Sequence, residues 1–136
     1  MDNSIISTKI DSRYADNKVC FSMSNCSLDK KYSFKHLRPQ EKAELENKMK
    51  YLEKMTWRAL ANLPRENGLT REKLNSPGYK LINEQDPSIN KMPGVDHYYF
   101  HFRVKNRGLF RVFGYQQDEC FYVTQIDPNS KINHHS

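Results

Sequence analysis

The stretch HYYFHFRVKNRGLFRVFGYQQDECFYVTQIDPNSK, residues 97–131, constrains the fold more than any other part of this chain. From Asp96 onward side-chain character repeats with a period of two, the period of a β-strand. Three strands are predicted, over about 97–105, 109–116 and 119–126. The first has aromatics on both faces: Tyr98, Phe100, Phe102 and Val104 on one, His97, Tyr99, His101 and Arg103 on the other. Alternation alone therefore does not name the buried side. The hairpin does. With Asn106-Arg107-Gly108 as a three-residue loop and Gly108 left-handed, residue 105 pairs with 109, 104 with 110, 103 with 111 and 102 with 112. Directly paired residues share a face. Phe100, Phe102, Val104, Phe110 and Val112 then form the core side, and His97, Tyr99, His101, Arg103, Arg111, Phe113 and Tyr115 the outer side. A slip of one residue would bury Arg111 among Phe100 and Phe102, which is costly for a charge. A two-residue turn at Gln117-Asp118 pairs 115 with 120, 113 with 122 and 112 with 123. It sends Phe121 and Val123 to the core, Tyr122 and Thr124 outward, and Gln125 to the core side.

Upstream, KVCFSMSNC (18–26) alternates around Val19, Phe21 and Met23 and predicts a strand. RPQEKAELENKMKYLEKMTWRALANLP predicts one long helix, with Pro39 in its first turn and Pro64 just past its end. Leu45, Met49, Leu52, Met55, Ala59 and Leu63 recur at spacings of three and four and form its buried stripe. Trp57 covers one edge. Residues 65–94 carry repeated Pro and Gly and read as a loop-rich connector, with Thr70 capping a short turn. The expected fold is α+β, one main helix packed on a mostly antiparallel sheet that ends in a three-strand meander.

A length of 136 residues suits a single domain, with 1–14 and 127–136 expected to be flexible ends. The net charge of +6 and pI of about 9.2 favour nucleic acid, an acidic protein or an anionic membrane surface as partner. Cys20, Cys26 and Cys120 show no CxxC spacing, and an odd count without a signal peptide fits a reducing cytoplasm. No run approaches the roughly 20 apolar residues of a membrane span. His97 and His101 are about 13 Å apart along a strand and cannot share an ion, so neither metal nor cofactor is expected.

The outer sheet face is the candidate site. Arg and Tyr on an open sheet can grip phosphate and stack bases. Tyr99, Arg103, Arg107, Arg111, Phe113, Tyr115 and Tyr122 are the candidate nucleic-acid contacts. The order β-α-β-β-β, the hairpin FRVKNRGLFRVFGY, the following strand CFYVTQID and the short basic tail resemble the RelE/HigB-like toxins of bacterial toxin–antitoxin systems. The resemblance covers mainly residues 96–135. The chain is also similar to small uncharacterised phage and bacterial proteins that end in a comparable hairpin. The toxin resemblance implies metal-independent cleavage of mRNA, often on the ribosome, and neutralisation by an antitoxin protein. It implies phosphate binding by Arg103 and Arg111, Lys131 or His134 near the scissile group, and His101 or Tyr115 as a further acid/base. The chain differs from the family in its longer N-terminal part, its one dominant helix and Ser130 where related endings often carry His. Two other readings stand beside it. One is a non-enzymatic phage or bacterial interaction or immunity protein that meets an acidic partner through this face. The other is an RNA- or DNA-binding module.

Overall fold

The computed structural model describes residues 9–86, 98–105 and 108–132. Among these residues there are five strands: β1 (Cys20–Ser22), β2 (Leu69–Arg71), β3 (Tyr98–Arg103), β4 (Arg111–Gln117) and β5 (Cys120–Asp127). They form one sheet in the order β1-β5-β4-β3-β2. β1 runs parallel to β5 and every other neighbouring pair is antiparallel. Three helices accompany it, α1 (Pro39–Glu53), α2 (Trp57–Ala61) and α3 (Pro77–Gln85). The α+β class expected from the sequence is the one observed, α1 being the main helix with two shorter ones beside it.

The long helix divides because its middle is needed elsewhere. The Met55 carbonyl accepts from Val19 N–H at 2.9 Å, and Trp57 N–H and Arg58 N–H donate to Asn17 and Ala15. Thr56 restarts the helix, its hydroxyl accepting from Ala59 N–H at 3.1 Å, a cap worth about 1 kcal/mol. The buried stripe therefore passes from Leu45 and Leu52 to Trp57, Leu60 and Ala61, and Ala59 turns to water. Trp57 is fully buried, and its indole N–H donates to the Glu119 carbonyl at 2.7 Å. At the start of α1 the Glu41 carboxylate accepts from Arg38 N–H at 2.8 Å, half of a capping box. α1 and α2 cover one sheet face, burying Phe100, Phe102, Val112, Phe121, Val123 and Ile126.

The β3–β4 register is the predicted one: Phe102 faces Val112 and Arg103 faces Arg111. Gly108, however, is not left-handed, and its N–H closes a turn on the Lys105 carbonyl at 3.0 Å. The β4–β5 turn lies one residue later than predicted. Asp118 takes the left-handed position (φ 58°), so Gln117 faces Cys120 and Tyr115 faces Tyr122. This shift is even, so Phe121, Tyr122 and Val123 keep their predicted faces. Beyond it the register changes at Phe113/Gly114, leaving Thr124 as a bulge. The extra residue flips the end of β5. Gln125 faces Phe113 rather than the core, and Ile126 enters the core.

The connector is where the sequence reading departs most from the structure. Thr70 lies in β2 and caps nothing. Ser76 is the N-cap, accepting from Tyr79 N–H at 3.1 Å, with Pro77 in the first turn of α3. α3 lies across the outer sheet face and forms a second cluster with Ile82, Tyr99, Phe113, Tyr115 and Ile132. The sheet is thus covered on both sides. Residues 9–14 and 127–132, within the ends expected to be loose, also take part. Ile10 is buried, and Asp11 N–H donates to the Gln116 side chain at 2.9 Å. At the other end Asp127 accepts from the Lys131 and Ile132 N–H groups at 2.8 and 2.6 Å.

Candidate functional site

The site is built around His101, in the middle of β3 between Thr70 of β2 and Phe113 of β4. Just past β2 the pairing continues for one more residue, Glu72 N–H donating to the Tyr99 carbonyl at 2.8 Å. That step sets the Glu72 carboxylate beside the imidazole, Oε2 at 2.5 Å from Nδ1. A carboxylate only accepts, so Nδ1 is the donor of this bond and Nε2 is the ring atom left for other partners. The other carboxylate oxygen of Glu72 accepts from the Ser76 hydroxyl at 3.0 Å. The His101 ring rests against Phe113, centroids 5.2 Å apart. Glu72 is buried, and His101 is 8% exposed.

Two residues along the same face of β3 stands Arg103, half-buried, with Arg111 directly opposite it on β4. Like charges in directly opposed positions destabilise a strand pair. Asp127 stands opposite Arg111 on its other side, its carboxylate held by the Lys131 and Ile132 N–H groups. Arg111 donates through Nη1 to the Ser130 hydroxyl at 3.1 Å, while its buried Nε has no hydrogen-bond partner among the described residues. Ser130 is itself left-handed (φ 57°), which turns the chain back over the sheet end. Lys131 follows, with an exposed side chain.

Arg103, Arg111 and the segment bearing Lys131 therefore lie at one end of the outer face, with His101 two residues further along β3. The proposed stacking platform does not stand open. Tyr99 and Phe113 are fully buried and Tyr115 nearly so, because α3 lies over them. Tyr122 is half-buried and stacked on Tyr115 at 5.2 Å and 7°. Four aromatics on one face mark a second core layer here, not a free surface. Tyr115 is corrected as an acid/base as well. Its hydroxyl donates to Asp86 and accepts from Asn25 at 3.1 Å. Burial, then the bond to Asp86, raises its pKa well above the usual tyrosine value and keeps it protonated. Arg107, His97 and His134 lie outside the described residues. Glu72 was missed in the sequence because it sits in the connector. The trace it leaves there is Leu69-Thr70-Arg71-Glu72, a short alternating run before the Ser76-Pro77 helix start.

A second concavity lies away from this cluster, between α1 and residues 23–35. It has a volume of about 770 Å³. Met23, Cys26, Leu45 and Met49 form its floor, and Leu28 and Phe34 its walls. Burial pushes the Cys26 thiol up to about 11, so it is neutral at ordinary pH. Among the described residues no three His, Cys, Asp or Glu side chains group to hold a metal ion, and no helix is long and apolar enough to cross a membrane. No protein-family model, curated protein or solved structure matches this chain.

Proposed function

We propose that this protein is a RelE-like, metal-independent endoribonuclease toxin whose chemistry is confined to the His101 end of the sheet. The observation that carries the proposal is the Glu72–His101 pair beside two opposed arginines. An imidazole oriented by a carboxylate is the arrangement of a general base. His101 Nε2 takes the proton of a ribose 2′-OH, and the 2′-oxygen attacks phosphorus. Arg103 and Arg111 bind the non-bridging oxygens as charge builds on the phosphorane. The bond to the 5′-oxygen breaks, and Lys131 protonates that oxygen. The products are a 2′,3′-cyclic phosphate and a 5′-hydroxyl. With the aromatic face covered, recognition runs through phosphate rather than stacked bases, which favours a broad choice of sequence. RNA and an antitoxin protein are the partners on this reading.

One observation favours the non-enzymatic alternative. Glu72 also binds Ser76, the cap of α3, so the dyad has a structural task whether or not it has a chemical one. Arg103 separates the two, because it caps nothing. On a single-stranded RNA, Arg103→Ala is expected to lower cleavage at least 100-fold with an unchanged thermal midpoint, and His101→Asn to abolish cleavage. Wild-type protein that cleaves no RNA, and whose induced expression leaves growth unaffected, sinks the enzymatic reading and leaves the interaction protein.

A further inference from the structure

The 770 Å³ cavity beside α1 has the make-up of a ligand site. Its size falls within the roughly 300–1,000 Å³ of small-molecule pockets. Its floor is a part of the larger core that α1 leaves open, where Met23, Cys26 and Met49 are only partly buried. Leu28 and Phe34, 89% and 40% exposed, stand over that floor as apolar walls facing water. An apolar hollow flanked by large exposed side chains marks a binding surface more often than inert exterior.

The rim gives the sign of the ligand. Lys35, Lys42 and Lys50 face the cavity, and so do Glu46 and Glu53. Lys50 and Glu46 neutralise each other at 3.7 Å. Among the described residues Lys42 has no carboxylate partner; its ammonium sits 5.6 Å from the centroid of the Phe34 ring. Lys35 and Lys42 then stand against Glu53 alone, and the balance at the mouth is positive. The methionines of the floor adapt their shape to an alkyl chain at little cost.

We propose that this cavity binds a single-chain amphipathic anion. Its alkyl chain lies on Met23, Leu45 and Met49 between Leu28 and Phe34, and its head group sits at Lys42 with Lys35 beside it. The site is separate from the His101 cluster and does not depend on the nuclease reading.

Calorimetric titration of the full chain with decanoate, decyl phosphate and decyltrimethylammonium, each below its micelle concentration, tests this. Both anions are expected to bind at one site with a Kd on the order of 10–100 μM, and the cation at least tenfold more weakly. Leu28→Asp changes a surface residue and leaves the fold intact, and it should weaken the anions at least tenfold. Lys42→Glu should weaken them as much and bring the cation up to their level. Failure of both anions to bind, equal binding of the cation, or unchanged affinity in Leu28→Asp overturns the proposal. Dimerisation that Leu28→Asp abolishes, with no anion bound, overturns it too, because the hollow then serves a second copy of the chain.

Discussion

At the scale of single residues the sheet turns on Gly114. It lies where the β4–β5 register changes, opposite Val123 and next to the Thr124 bulge. A Cβ there would collide with the Tyr122 carbonyl oxygen and the Phe121 ring, one of them backbone that cannot step aside. The bulge in turn leaves Thr124 fully buried, with its hydroxyl donating to the Phe113 carbonyl at 3.2 Å. Gly114→Ala is therefore expected to cost about 3 kcal/mol, in the range of backbone strain and overpacking, read as a fall in the urea midpoint. Gly108 makes the informative comparison. The sequence argues for a left-handed glycine there, but its backbone is not left-handed, and the nearest atoms to an added Cβ would be those of Lys105, at 3.2 Å and beyond. Gly108→Ala should cost under about 1 kcal/mol. Equal losses in the two variants would restore the left-handed assignment at Gly108 and remove the special role of Gly114.

At the scale of elements, the parts legible in the sequence are those fixed by neighbours. The β3–β4 hairpin is local, and the cost of burying Arg111 leaves one register. The α1 stripe is local too, though the break at Met55–Thr56 is set by residues 15–19, which no helical periodicity reveals. α3 was hidden because Pro77 and Gly78 look like breakers, when Pro at a first helical turn and Ser before it are start signals. Gly78 packs so close to Glu72 and Phe113 that a side chain would strike both. The role of β1 was equally illegible. Cys20 and Cys120, 100 residues apart, stand directly opposite each other in the parallel pair, Cα atoms 4.4 Å apart and sulfurs bonded. Spacing rules see an odd, unpatterned set of cysteines; only the topology unites two of them. β1 is three residues long and lies at the sheet edge, so this bond is a large part of what holds it. Closing so long a loop is worth up to about 4–5 kcal/mol. Thiol titration of the denatured, unreduced protein should find one reactive thiol, Cys26, and three after reduction. Reduction, or Cys120→Ser, should lower the denaturant midpoint. Three reactive thiols before reduction would show that the link does not form in air.

At the scale of the whole molecule, the two layers on the sheet are held in different ways. The α1/α2 side rests on a broad apolar cluster that includes Trp57, Leu45, Leu52 and the core side of every strand from β2 to β5. The α3 side has a small cluster around Ile82 and leans on polar contacts instead: Tyr99 to Asn83, Tyr115 to Asp86, Ser76 to Glu72, and Gln125 to the Leu81 carbonyl at 2.9 Å. A hydrogen bond exchanged with water adds only about 1 kcal/mol net, and a nine-residue helix does not hold itself in water. α3 should therefore lift from the sheet at a lower free energy than the sheet itself unfolds. Native-state hydrogen exchange is expected to show α3 amides exchanging at least tenfold faster than those of Val112, Phe113 and Val123, with a smaller denaturant dependence. Protection of α3 equal to that of β4 would mean the molecule opens only as one unit. If α3 does open first, the face it uncovers is Tyr99, Phe113 and Tyr115 beside His101 and the two arginines. A single substitution tests this order of opening. Tyr115→Phe removes the bond to Asp86 without emptying the core, and it should speed α3 exchange while leaving β4 protection within a factor of about two.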